Sequence, residues 1–234
     1  LGEAAVPAIT DALARGQDDE ARDILWLIVL LGELCSPLAI EPLTHQLSRT
    51  DLDLMAQAAG EALAKIGPPA VPALSELARS GDPLQRLYAY ASLGWIRDDR
   101  AYALLIDALS RDPELGDVLA VTLAEQGRPE AIPHLYQTYQ TCEPWQRVEF
   151  EEAIRDLHWG QHSPPLWSRD WRLRYRRLPA LEEGFELEWV FISTVVHRDR
   201  ELREKRAGVP LRSLEEITKD PPEPDEAPET CEEC

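Results

Sequence analysis

The sequence predicts an all-α fold: a linear array of stacked helical hairpins, with a C-terminal cap and an acidic tail. Three observations predict it. Apolar residues recur at helical spacing in segments of 10–17 residues, separated by Gly and Pro turns. The pattern repeats about every 31 residues in two independent registers. Each helix pair is too short to bury a core of its own, so neighbouring copies must supply one.

The first register is centred on Pro7, Glu41, Pro72, Ala103 and Pro133, spaced by 34, 31, 31 and 30 residues. One residue before this slot stand Val6, Ile40, Val71, Tyr102 and Ile132. Two after it stand Ile9, Leu43, Leu74, Leu105 and Leu135, and six after it Leu13, Leu47, Ala78, Leu109 and Tyr139. These positions share one face of a helix, and all are apolar or aromatic. The second register is anchored on Cys35, Gly67, Arg97, Gly127 and His158. Four residues earlier come Leu31, Leu63, Leu93, Leu123 and Ile154. Three earlier come Gly32, Ala64, Gly94, Ala124 and Arg155, small in four copies of five, which lets neighbouring helices approach closely.

The expected first-type helices span 18–34, 51–66, 82–97, 114–126 and 145–158. The second-type helices span 4–15, 38–49, 70–79, 101–111 and 130–141. The central unit, 51–80, shows the logic. Asp51 is placed to cap its first helix. Gly67, Pro68 and Pro69 end it, and Pro72 sits in the first turn of the next, where its missing N–H costs nothing. The helix at 18–34 has an unusually wide apolar face and is expected to be buried on more than one side.

Ala70-Val71-Pro72-Ala73-Leu74 with Ala62-Leu63-Ala64-Lys65-Ile66-Gly67 resembles the HEAT-like repeats of the phycobilisome-lyase (PBS lyase) type. Ala5-Val6-Pro7-Ala8-Ile9 and Ala131-Ile132-Pro133-His134-Leu135 echo it. The resemblance covers residues 1–158. It implies a right-handed α-solenoid whose second-type helices line the concave face, and it is nearly silent on function. The copy with Ala103 for Pro and Arg97 for Gly departs from the pattern, so its turn geometry is expected to differ.

Residues 1–160 therefore read as the repeat solenoid of five helix pairs, 161–212 as a Trp- and Arg-rich cap or extension, and 213–234 as an acidic, Pro-rich tail. The stretch 181–206 has near-helical apolar spacing, with a β-branched centre that leaves a strand as the alternative. From Thr218 onward the chain has too few apolar residues to fold alone.

The net charge is −19. Residues 1–160 carry 26 acids and 12 bases, and the tail nine acids and one base. This balance opposes general affinity for nucleic acid or an anionic membrane and favours a basic or mixed-charge protein partner. The longest apolar run, Ile24 to Leu31, is too short to span a membrane, and no signal peptide is evident. The chain opens on Leu inside a helix pattern and reads as a fragment. Four cysteines form no disulfide framework, which points to a reducing, cytoplasmic compartment. Cys35 and Cys142 are expected to be ordinary buried or half-buried thiols.

Candidate sites follow from where the copies differ. Four residues past the first slot stand Asp11, His45, Glu76, Asp107 and Gln137; eight past it stand Arg15, Arg49, Ser80, Arg111 and Thr141. They point away from the apolar stripe. They serve as i,i+4 helix support, as a polar ladder that grips a partner, or as both. His45, Arg49, Glu76, Asp107 and Arg111 are the contact candidates. In the segment 166–177, Trp167 and Trp171 interleave with Arg172 and Arg176; this suits a cap over the last repeat, a protein interface, or phosphate contact with base stacking. Cys231 and Cys234 have the spacing of half a zinc site. No phosphate-binding loop, dinucleotide fingerprint, HExxH or GxSxG motif occurs. The expected function is a non-catalytic protein-interaction or scaffold module, with no resident cofactor. The rival readings are a lyase-type enzyme subunit holding a small molecule on the concave face, and nucleic-acid binding through 166–177.

Overall fold

The computed structural model describes residues 2–15, 21–49, 53–160, 208–219 and 221. Helices account for all of the regular structure among these residues. Second-type helices are α1 (Val6–Arg15), α3 (Ile40–Leu47), α5 (Val71–Ser80), α7 (Asp99–Arg111) and α9 (Ile132–Tyr139). First-type helices are α2 (Ala21–Leu34), α4 (Asp53–Ile66), α6 (Pro83–Gly94), α8 (Gly116–Gln126) and α10 (Arg147–Trp159). A short helix, α11 (Leu214–Thr218), follows much later in the chain.

Each second-type helix packs on the first-type helix that follows it, α1 on α2 through to α9 on α10. The hairpins then stack, α2 on α4, α4 on α6, α6 on α8 and α8 on α10 in one row, α3 on α5, α5 on α7 and α7 on α9 in the other. One apolar core runs the length of the stack, and the predicted stripe forms it: Leu13, Leu43, Leu47, Leu74, Ala78, Leu105, Leu109, Leu135 and Tyr139 are all buried.

Local chemistry explains the element ends. Single turns of 3-10 helix at Pro37–Ala39, Pro68–Ala70 and Pro129–Ala131 lead into α3, α5 and α9, each with Pro in a position that needs no N–H. Where the fourth copy lacks that Pro, Asp98 opens α7 by accepting from the Arg100 amide at 2.8 Å. The Arg100 side chain, hydrogen-bonded to the same carboxylate, holds Asp98 down at about 2. Gly67 (φ 81°) and Gly127 (φ 63°) close α4 and α8 in the left-handed region. Cys35 closes α2 in that same region at φ 48°, and it is exposed rather than buried. The second-register slot demands a left-handed residue at the end of α2, and the thiol goes where that residue points. The expected helix over 82–97 stops at Gly94, because Gln126 Nε2 donates to the carbonyls of Leu93 and Ile96 at 2.8 Å each and so caps the helix end.

The first-type row is the more closely packed. A Cβ placed on Gly32 would lie 2.8 Å from Ala62 Cβ and 2.9 Å from its Cα, and one on Gly94 would lie 2.5 Å from Thr122 Cγ2. The second-type helices touch one another more sparsely.

The wide apolar face of α2 is buried on two sides, against α1 and against α4: Ile24, Leu25, Ile28, Val29 and Leu31 are buried, whereas Leu30 remains 39% exposed. Residues 213–218, assigned from sequence to the acidic tail, form a capped helix packed against the array; Ile217 is buried on α10. No helix among the described residues is long and apolar enough to cross a membrane.

Candidate functional site

On the second-type row a groove of about 850 Å³ lies between α7 and α9. Ile106 and Leu109 of α7 and Trp145 of the turn before α10 supply apolar surface. Ser110, His134, Gln137, Thr138 and Thr141 supply hydroxyl, imidazole and amide groups. Glu114 and Glu143 add carboxylates at the end where the connecting turns meet.

The groove owes its shape to three local choices. Leu109 is buried at the inward slot of α7, which turns Ile106 and Ser110 toward the gap. The turn before α10 is tied down by a capping box between Glu143 and Gln146. Gln146 Nε2 also donates to the Pro113 carbonyl at 2.9 Å, locking the floor to the preceding hairpin. Cys142, half-buried beside the groove, donates its thiol to the Tyr139 carbonyl at 3.3 Å. Burial pushes that thiol up to about 11, so it stays protonated and is a poor nucleophile at neutral pH.

The predicted ladder splits in two. His45 and Glu76 are exposed on α3 and α5, Asp107 on α7, and Gln137 within the groove itself. Asp107 and Arg111 form the expected i,i+4 pair at 2.8 Å. Arg111 does more than the spacing implies. Its other nitrogens donate to the Tyr90 hydroxyl at 2.9 Å and approach Asp112 at 3.4 Å. Asp112 is 5% exposed and accepts from Tyr90, and its second oxygen lies 3.2 Å from Arg86 Nε. Burial and the hydrogen bond to Asp112 push the Tyr90 phenol up to about 12. Arg111 therefore belongs to a structural network that ties α6 to the end of α7. Arg49 is half-buried at the end of α3. Trp167, Trp171, Arg172, Arg176, Cys231 and Cys234 lie outside the described residues, as do 181–206.

Sequence reasoning missed His134, Thr138 and Trp145 as groove residues and the Tyr90–Asp112–Arg86 network. The repeated Asp82-Pro83, Asp112-Pro113 and Glu143-Pro144 dipeptides were the available signal, since each places an acid at the start of a first-type segment. Among the described residues no three His, Cys, Asp or Glu side chains gather to hold a metal ion.

No curated protein matches this chain. Residues 40–120, from the start of α3 into α8, match the family model of HEAT repeats, and over that stretch the chain is a HEAT-like repeat array.

Proposed function

We propose that this protein is a non-catalytic interaction module that receives a protein segment of basic or mixed charge in the groove between α7 and α9. Arrays of HEAT repeats commonly serve as protein-interaction scaffolds. The observation that carries the reading is the chemistry of the groove. It combines apolar area from Ile106, Leu109 and Trp145 with adaptable polar groups, and Glu143, beside a Glu114 paired with Arg86 at 3.3 Å, supplies an acidic end. Rigid helices on both walls present this surface with little ordering cost. The phycobilisome-lyase subtype, in which such a groove would hold a small molecule, is the competing reading; the groove's volume is within the range of small-molecule sites.

The test is site-specific photo-crosslinking in cells, with the reactive group at Gln137 in the groove or at Glu130 outside it. Defined protein adducts from position 137, lost when Thr138→Arg fills the groove, support the proposal. Adducts that are identical from both positions, or a bound chromophore displaced by Thr138→Arg, would sink it.

A further inference from the structure

The last hairpin receives a strap. Residues 209–218 lie across α9 and α10 after an interval of sequence longer than a whole repeat, and most of their polar contacts are made through the strap's backbone. Arg147 donates to the Val209 carbonyl at 2.7 Å. The Tyr139 hydroxyl accepts from the Arg212 amide at 2.8 Å and lies 3.4 Å from the Pro210 carbonyl, while Tyr136 reaches the Arg212 carbonyl at 3.5 Å. Two side-chain features read the sequence. The Arg212 guanidinium pairs with Glu151, 6% exposed, at 3.1 Å, and Ile217 is buried with Leu214 half-buried beside it. Ser213 starts α11 with a capping box to Glu216, which sets the turn that delivers both apolar residues to α10.

Leu214 and Ile217 have the spacing of Val71 and Leu74, the first two apolar slots of a second-type helix. The strap packs on α10 as α7 packs on α6. Like α7 on α6, it covers a first-type helix with the start of a second-type apolar pattern. The regular second-type helices are eight to thirteen residues long. The strap has a five-residue helix and one ion pair. This is the economy of a peptide ligand: backbone hydrogen bonds for affinity, a few pockets for specificity.

We propose that the end face formed by α9 and α10 is a receptor for short linear segments, with residues 209–218 as its resident ligand in cis. The partner that displaces this ligand presents the pattern Pro-x-Arg-Ser-Leu-x-x-Ile, with Arg for Glu151, a Ser cap, and Leu and Ile for the apolar seat. The site is separate from the groove between α7 and α9 and does not depend on it.

The probe is a fluorescent peptide of residues 207–220, titrated into the 234-residue chain and into its Ile217→Asp variant. The variant empties the seat and is expected to bind the peptide with a Kd on the order of 100 µM or tighter. The wild-type chain, whose own strap competes at high effective concentration, is expected to bind at least roughly ten-fold more weakly. A peptide carrying Arg212→Glu should bind neither. Should Ile217→Asp fail to fold by circular dichroism, the Arg212→Glu chain, which sets a carboxylate against Glu151 without touching the core, gives the same readout. Absence of peptide binding to the folded variant, or equal binding by variant and wild type, overturns the proposal.

Discussion

The backbone amide of Arg212 donates to the side-chain hydroxyl of Tyr139 at 2.8 Å, across 73 residues of sequence. The same hydroxyl donates to Glu151 at 2.7 Å, so one phenol joins α9, α10 and the strap. Burial is the main reason that its ionisation is pushed up to about 12, and it stays a donor throughout the physiological range. Tyr139→Phe keeps the ring and removes the link. Glu151, 5% exposed, then lacks its buried donor, and the expected loss of stability is about 1–3 kcal/mol. Hydrogen exchange should show the Arg212 and Ile217 amides losing protection while α4 and α6 keep theirs. Unchanged protection at Arg212 would show that the phenol does not hold the strap.

Two aspartates near the end of α7 should behave oppositely. Asp112 is buried, accepts from Tyr90 and pairs with Arg86, whose side chain is 20% exposed. Asp112→Ala removes the buried carboxylate they share and leaves Arg86 with Gly81 and Glu114 and Tyr90 with the Ala78 carbonyl, at an expected cost of about 1–3 kcal/mol. Asp107 is 67% exposed and pairs with Arg111 alone. Asp107→Ala should cost under about 0.5 kcal/mol. Urea midpoints at constant m-value separate the two, and equal shifts would refute this account of the network.

The helix-closing slot makes a second paired prediction. Cys35 adopts φ 48°, which an L side chain takes at a penalty, while Gly67 adopts φ 81° in the equivalent place. Cys35→Gly relieves the strain and forfeits only a weak thiol contact to the Gly32 carbonyl. It should stabilise the chain by about 0.5–1 kcal/mol. Gly67→Ala should destabilise it by about 1 kcal/mol, although a Cβ there meets nothing within 4 Å, because the cost lies in the backbone alone. Thermal unfolding of both variants checks the pair; a destabilised Cys35→Gly would contradict it.

Glu125 gives the array a pH dependence. Burial pushes its carboxyl up to about 8, against the smaller opposing effects of the Trp95 hydrogen bond and the Arg97 charge. A folded-state value above the unfolded one means that the native chain holds the extra proton between about pH 4.5 and 8, so stability from this group falls as pH rises through that window. Glu125→Gln removes the titration. The variant should match wild type near pH 5 and exceed it by about 1 kcal/mol or more at pH 8. Parallel stability profiles for the two proteins from pH 5 to 8 would be the contrary result.

How much of this was legible depends on the distance over which each feature is encoded. Leu43, Leu74, Leu105 and Leu135 declare themselves at a fixed slot, and each is buried in the fold. Asp107 and Arg111 are one helical turn apart, and their pair forms as the spacing requires. The groove between α7 and α9 was half legible. Gln137 and Thr141 were flagged as outward positions, but Trp145 comes from the turn of the next hairpin, and no periodicity links it to them. Arg111 was legible as a surface residue and illegible as a partner of Tyr90, 21 residues earlier on a different helix.

By itself the sequence determined the repeat: where helices begin and end, which face of each is apolar, and that no unit can stand without its neighbours. Those properties rest on local backbone preference and on side-chain periodicity along a single helix. Only the tertiary structure decided how closely the first-type helices stack, that α7 and α9 part to form a groove, and that Leu214 and Ile217 return to pack on the last hairpin. Each of these depends on how closely two helices approach or on a contact between distant residues. That approach is set by pairs such as Gly32 with Ala62, and that contact by pairs such as Tyr139 with Arg212, neither of which a one-dimensional pattern records.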